Sequence, residues 1–251
     1  MSHPAQLPDR LLSVEGVNRA FIALLVSASL ILIINQYTDL DLLLADLYFD
    51  QGTHSFPWRN SWFANAFMHG WIKYAIIAFG LMLLAVAVVD IVRPWRKLTP
   101  LSRLQLRSVV LTMILAPLAV AVLKQGSNVH CPWSLTRYGG AEPLLRLLDW
   151  VPPHWDAGRC FPAGQTSTGT WLAALAVFWL PHDPRRAFKV FLGGMGVGLA
   201  LGWVQQMRGA HFLTHTLATL WVTGAVLLAV LVVMPRLRRM AGGSLRPRVT
   251  S

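Results

Sequence analysis

Charge is what this sequence has least of. Only 13% of its 251 residues are charged, while 55% are hydrophobic. Soluble globular chains carry about 25% charged residues, so the composition argues against a soluble domain. Cysteine is scarce as well: Cys131 and Cys160 are the two in the chain, too few for a cysteine-built metal site. Acidic residues number 11 against 22 basic ones, which gives a net charge of +11. A basic balance is one mark of nucleic-acid binding, but here the arginines and lysines lie in short loops between apolar runs. That pattern reports membrane orientation and anionic headgroups, and no nucleic-acid partner is expected. The start lacks the features of a cleavable signal peptide. Asp9, Arg10 and Glu15 interrupt it and the first apolar run begins near Asn18, so the first span is expected to stay as an anchor.

What the chain has instead is apolar length. Six runs approach the roughly 20 residues needed to cross about 30 Å of hydrocarbon: 18–37, 71–92, 107–124, 166–181, 188–206 and 214–235. They predict an all-α, polytopic membrane helix bundle of six transmembrane helices. It is read as one membrane-embedded domain over 1–251, with tails at approximately 1–17 and 236–251. Pro117 interrupts the third run and removes a backbone donor there. In the fifth, Gly194, Gly198 and Gly202 recur at every fourth position, a spacing that lets helices approach closely in lipid. No internal repeat is visible. Between the first two spans, 39–69 is too polar to cross yet rich in Leu42, Leu43, Leu44, Phe49, Phe56, Trp58 and Trp62. It is expected to lie along the interface as an interfacial helix or two, as an anchor or as the wall of a lipid mouth.

Loop charge sets the expected orientation. Arg93, Arg96, Lys97, Arg103 and Arg107 follow the second span, Arg185, Arg186 and Lys189 the fourth, and Arg236, Arg238 and Arg239 the sixth. The loop after the first span carries Asp39, Asp41, Asp46 and Asp50 against Arg59. The positive-inside rule places both termini and the basic loops in the cytoplasm. Cys131 and Cys160 then share an outward loop, where an oxidising compartment favours a disulfide.

Three polar stretches fall at the outward ends of spans: KQGSNVHCPWSLTR from Lys124 to Arg137, FPAGQTST from Phe161, and RGAHFLTH from Arg208 to His215. Ionisable groups at membrane depth are costly and usually functional. Taken singly, Lys124 and Arg208 also suit interface anchors, and a lone His130 suits a structural role. His211 and His215 are four apart and share a helix face. As a metal pair they lack a nearby acid, and no metal is expected. Cations beside a Gly-containing turn at a helix start make a phosphate cradle, and an imidazole is a competent phosphoryl acceptor.

Together these stretches resemble the signature motifs of the type 2 phosphatidic acid phosphatase superfamily, and their wording is similar to one bacterial membrane subgroup of it. The first motif is Lys, six residues, Arg-Pro; here Lys124 is followed by Cys131-Pro132, with Arg137 as the candidate substitute. The second, Pro-Ser-Gly-His, is matched by Pro162-Ala163-Gly164-Gln165. The third places His211 at the nucleophile, His215 where an acid orients it, and Gln205 at the Arg position with Arg208 near by. The resemblance implies a cofactor-free lipid phosphate or diphosphate phosphatase, or a phosphotransferase of the same mechanism, working through a phosphohistidine at the outer face of a bacterial inner membrane. Its partners would be a phosphorylated lipid substrate and membrane lipids. Catalysis would fall to His211, His215 and Gln165, and phosphate binding to Lys124, Arg137, Arg208 and Gly164. Gln165 stands where the family has a general acid, and an amide cannot supply a proton near neutral pH. It leaves three readings open: a substitution that traps an inactive state, a weak or non-catalytic relative that binds lipid phosphate, or a lipid diphosphate substrate. A transporter would place polar groups through the bilayer midplane, and the mid-span stretches are almost free of charge.

Overall fold

Inside hydrocarbon a backbone must satisfy its own amides, and helix is the local way to do so. The computed structural model describes residues 10–152 and 155–243, and among the described residues there is no β-strand. Seven helices follow in order: α1 (Val14–Tyr37), α2 (Leu40–Asp46), α3 (Trp62–Val92), α4 (Pro100–Gln125), α5 (Gly164–Thr170), α6 (Pro184–Met207) and α7 (Leu213–Gly243). Of these, α1, α3, α4, α6 and α7 are long and apolar enough to cross a membrane. The protein is an all-α membrane helix bundle. The expected tails lie partly outside the described residues.

The run expected as the fourth span takes an unusual form. The seven residues of α5 continue into nine of 3-10 helix, Trp171–Trp179. Because 3-10 winding rises about 2.0 Å per residue against 1.5 Å for α, these segments reach about 28 Å together. Trp171, Ala173, Ala174, Ala176 and Val177 are buried, and the segment packs chiefly on α6 and α4. Glycine makes that approach possible. A Cβ at Gly194 would lie 2.2 Å from the Ala173 nitrogen, and one at Gly198 2.2 Å from Thr170 Cγ2. On the other side of α6, Gly193 and Gly196 meet nothing within 4 Å. The four-residue glycine stripe is therefore a packing face. Pro117 is carried inside an unbroken α4.

The region 39–69 differs from expectation. It contains α2 and a 3-10 turn, Pro57–Asn60, but from Trp62 the chain already belongs to α3. The first part of that helix, Trp62–Ile72, is π-wound. Trp62, Phe63, Phe67 and Trp71 pack on one another there, with Trp62 and Trp71 exposed as in an interfacial aromatic belt. Asn65 and His69 instead meet polar groups at the end of α6: exposed Asn65 accepts from Arg208, and half-buried His69 lies against Gln205. These two polar residues break the apolar run, which is why the sequence places the start of the span too late.

The ends of α4 and α6, the starts of α3, α5 and α7, and the C-terminal end of α1 all meet at one end of the bundle. Several braces hold it. Cys131 and Cys160 form a disulfide with Cα atoms 5.3 Å apart. Arg146 donates to the carbonyls of Asn35, Gln36 and Thr38 and pairs with Asp39. Buried Asp41 caps α7 from a distance, accepting from the Thr214 amide at 3.0 Å and from its hydroxyl. Burial raises the Asp41 carboxyl above its ordinary value, while the bonds from Thr214 act the other way. At the opposite end, Asp90 accepts from Arg103 Nε and from the Trp95 amide.

Candidate active site

Two polar groupings occupy that end. The first is centred on His211, in the turn between α6 and α7. Gly209 takes a left-handed conformation (φ +67°) with Phe56 pressed where a side chain would stand, and this reverses the chain toward the disulfide. His211 Nδ1 lies 3.4 Å from Cys160 Sγ and 3.4 Å from His215 Nδ1. Both rings are buried, and His215 is wedged edge-on between Phe161 and Phe212. The FPAG turn is tied to the same helix: the Ala163 amide donates to the His215 carbonyl, and the Thr219 hydroxyl donates to the Ala163 carbonyl. Gly164 follows as the first residue of α5. A side chain added there would sit 3.7 Å from Lys124 Nζ, so the ammonium stands at the helix start.

Burial holds the His211 imidazole well below its ordinary pKa, and the neighbouring His215 and Lys124 act in the same direction. The ring is therefore neutral at neutral pH. With Nδ1 facing His215, one of the two nitrogens must donate and the other accept. His211 also crowds against both cysteines, but their sulfurs are bonded to each other and present no thiolate to a metal.

The second grouping surrounds Arg208. Its Nε donates to the Arg59 carbonyl, Nη1 to Gln205 Oε1 and Nη2 to Asn65 Oδ1, each at 3.1 Å. Three of its five N–H groups are thus committed to protein acceptors. Burial, and secondarily Arg59, lowers its pKa, although a guanidinium remains charged. Arg59 itself lies over the Trp133 ring, 4.4 Å from the centroid. Gln205 Nε2 is 3.4 Å from His69 Nδ1, and Gln165 Nε2 is 3.5 Å from the His69 carbonyl oxygen. Gln165 and its neighbour Gly164 link the two groupings.

Arg137 stands apart from both. Its guanidinium pairs with Asp46, Nε to Oδ1 at 3.0 Å and Nη2 to Oδ2 at 2.6 Å, and Tyr138 donates to the same carboxylate at 2.8 Å. The arginine bond holds the Asp46 carboxyl below its usual range. With its side chain 54% exposed, Arg137 braces the loop against α2 rather than standing with the phosphate cradle expected for it. His130 faces Glu142 at 3.6 Å. Sequence reading missed Asn65 and His69. The signal was there: with Lys73 they are polar residues at four-residue spacing in an otherwise apolar helix.

Fold and site together define a helical membrane protein with a buried histidine pair, a half-buried lysine and a buried arginine gathered at one end of its bundle. A family model, the PAP2 superfamily, matches residues 105–239. That is more than half of the chain, and the protein belongs to this superfamily, a membership that points to phosphatase-type activity on lipid phosphates. Comparison with curated proteins and with solved structures returns no match. The matched stretch holds Lys124, Gly164, Gln165, Arg208, His211 and His215 but begins after α3, and so omits Asn65 and His69.

Proposed function

We propose that the protein removes or transfers the phosphate of a lipid phosphate, or lipid diphosphate, by way of a phosphohistidine on His211. The observation that carries this reading is the neutral, buried His211 ring between a second imidazole and the Lys124–Gly164 corner. Lys124 and the backbone at the start of α5 hold the phosphate. Arg208 contributes positive charge and its two uncommitted N–H groups. His211 Nδ1–H donates a hydrogen bond to His215 Nδ1 and keeps its proton, which leaves the Nε2 lone pair for in-line attack on phosphorus. As the P–N bond forms, the P–O bond breaks and its electrons leave with the departing oxygen. His215 then stabilises the positive ring of the intermediate, where an acid would stand in the family's motif. Water attacks the phosphohistidine next, releasing phosphate and restoring the ring. This scheme needs no metal.

The basic loops and tail argue for six crossings, cytoplasmic termini and an outward-facing site in a bacterial inner membrane. The 3-10 extension of α5 supplies the sixth crossing. In purified protein, phosphate release from lipid mono- and diphosphates is expected to disappear in His211→Ala. Release that survives this substitution sinks the proposal. Gln165 favours a second reading, a lipid-phosphate binder without turnover. Activity that emerges only in Gln165→His, with lipid bound by the unaltered chain, would select it.

A further inference from the structure

His69 has no part in the scheme above. It is half-buried on the π-wound start of α3, with its ring against Gln205 of α6 and its backbone carbonyl accepting from Gln165 of α5. The hydrogen-bond roles around its ring are fixed by a relay. Arg208 has only donors, so the Gln205 atom 3.1 Å from Nη1 must be the amide oxygen. The other end of that amide is then its NH2 group, and His69 Nδ1, 3.4 Å away, must accept. The ring proton is thereby placed on Nε2. A second proton on Nδ1 would oppose the amide donor. Its charged neighbours, Arg208 and Lys73, are both cations. The surroundings therefore build a neutral imidazole that presents Nε2–H.

We propose that His69 contacts the substrate as a neutral hydrogen-bond donor on the leaving-group side, beside Gln165. The inference rests on the phosphatase reading and narrows it. On that side the site offers the Gln165 amide and the His69 N–H, neither of which surrenders a proton near neutral pH, beside the Arg208 and Lys73 cations, whose charge favours a departing anion. When the His211 Nε2–P bond forms and the P–O bond breaks, the departing oxygen keeps the electron pair and leaves unprotonated. A phosphate oxygen tolerates this, whereas the alkoxide of a lipid monophosphate does not. The substrate class is accordingly a lipid diphosphate, cleaved between its two phosphorus atoms, with His69 donating to the oxygen that departs.

The test uses the full chain in detergent with 15N-labelled histidine, inorganic phosphate as the probe and His69→Gln to assign the resonance. The expected spectrum shows His69 protonated at Nε2 alone between about pH 6 and 8, with that signal moving when phosphate is added. Gln205→Leu is expected to release the tautomer preference. In turnover of a lipid diphosphate, His69→Ala should lower kcat about 10²-fold, the usual effect of losing one oriented donor. His69→Gln, which keeps an N–H, should lose less than about tenfold. The inference is overturned if the ring carries its proton on Nδ1, or ignores phosphate, or if His69→Ala matches the unaltered chain where His211→Ala is dead. Phosphate release that does not need His211 refutes the phosphatase reading itself, whatever His69 does. A preparation without turnover is decided by the spectrum alone.

Discussion

A histidine at an ordinary pKa near 6.5 loses its lone pair to protons just below neutrality. His211 does not, because burial and the Lys124 charge disfavour its imidazolium. The sign follows directly. Lowering the pH removes the proposed nucleophile only once it passes the depressed pKa, so kcat/KM should stay level from pH 7.5 to about 6. Lys124→Met removes one of the charges that depress the pKa. The acid limb is then expected to move upward, and KM to rise as the phosphate loses its ammonium. A pH–rate profile of the two proteins decides the matter: limbs that coincide would remove Lys124 from the vicinity of the working ring. At this scale the sequence was legible where chemistry is local. The His211–His215 pair could be read from spacing alone. The engagement of Arg137 by Asp46 could not, because the two partners are far apart in the chain and meet only through the packing of α2.

Among the elements, the tightest join is α6 against α5 and its 3-10 extension. Gly198→Ala would drive a methyl group into Thr170, with its Cγ2 at 2.2 Å and its backbone at 3.1 Å, and overpacking of this kind costs about 1–3 kcal/mol. Gly196→Ala, on the open side of the same helix, meets nothing and should be neutral or slightly stabilising. Thermal unfolding in detergent compares the two, and equal midpoints would contradict the packing described here. Span existence was read correctly for the long helices because crossing hydrocarbon demands apolar length, and length is visible. Winding is not. Nothing in the composition of Trp171–Trp179 announces 3-10 geometry, and a π-wound start let α3 bring Asn65 and His69 to Arg208 and Gln205 of the α6 end while its aromatics packed on one another. A polar pair inside an apolar helix then reads as the end of a span rather than as the wall of a site.

For the whole molecule, the disulfide joins the loop after α4 to the turn before α5 and backs directly onto the His211 ring. Closing 29 residues of separation contributes on the order of 3–4 kcal/mol by the chain-entropy estimate. Reduction, or Cys160→Ser, should therefore lower the unfolding midpoint and also depress turnover. A reduced protein that keeps full activity would show that the sulfur contact does not position the ring. The same logic of mutual support sets the smallest piece of this chain that can stand alone. The first turn of α7 is capped by Asp41, and the Arg208 guanidinium is held by Arg59 and Asn65, all of them outside 105–239. An excised copy of the matched stretch would carry each of its named motifs and still have a bare helix start and an arginine left with Gln205 alone of its three acceptors. What looks like a catalytic cassette with a leader is one interdependent object, and shortening it from the front would dismantle the end of the bundle where its chemistry is gathered.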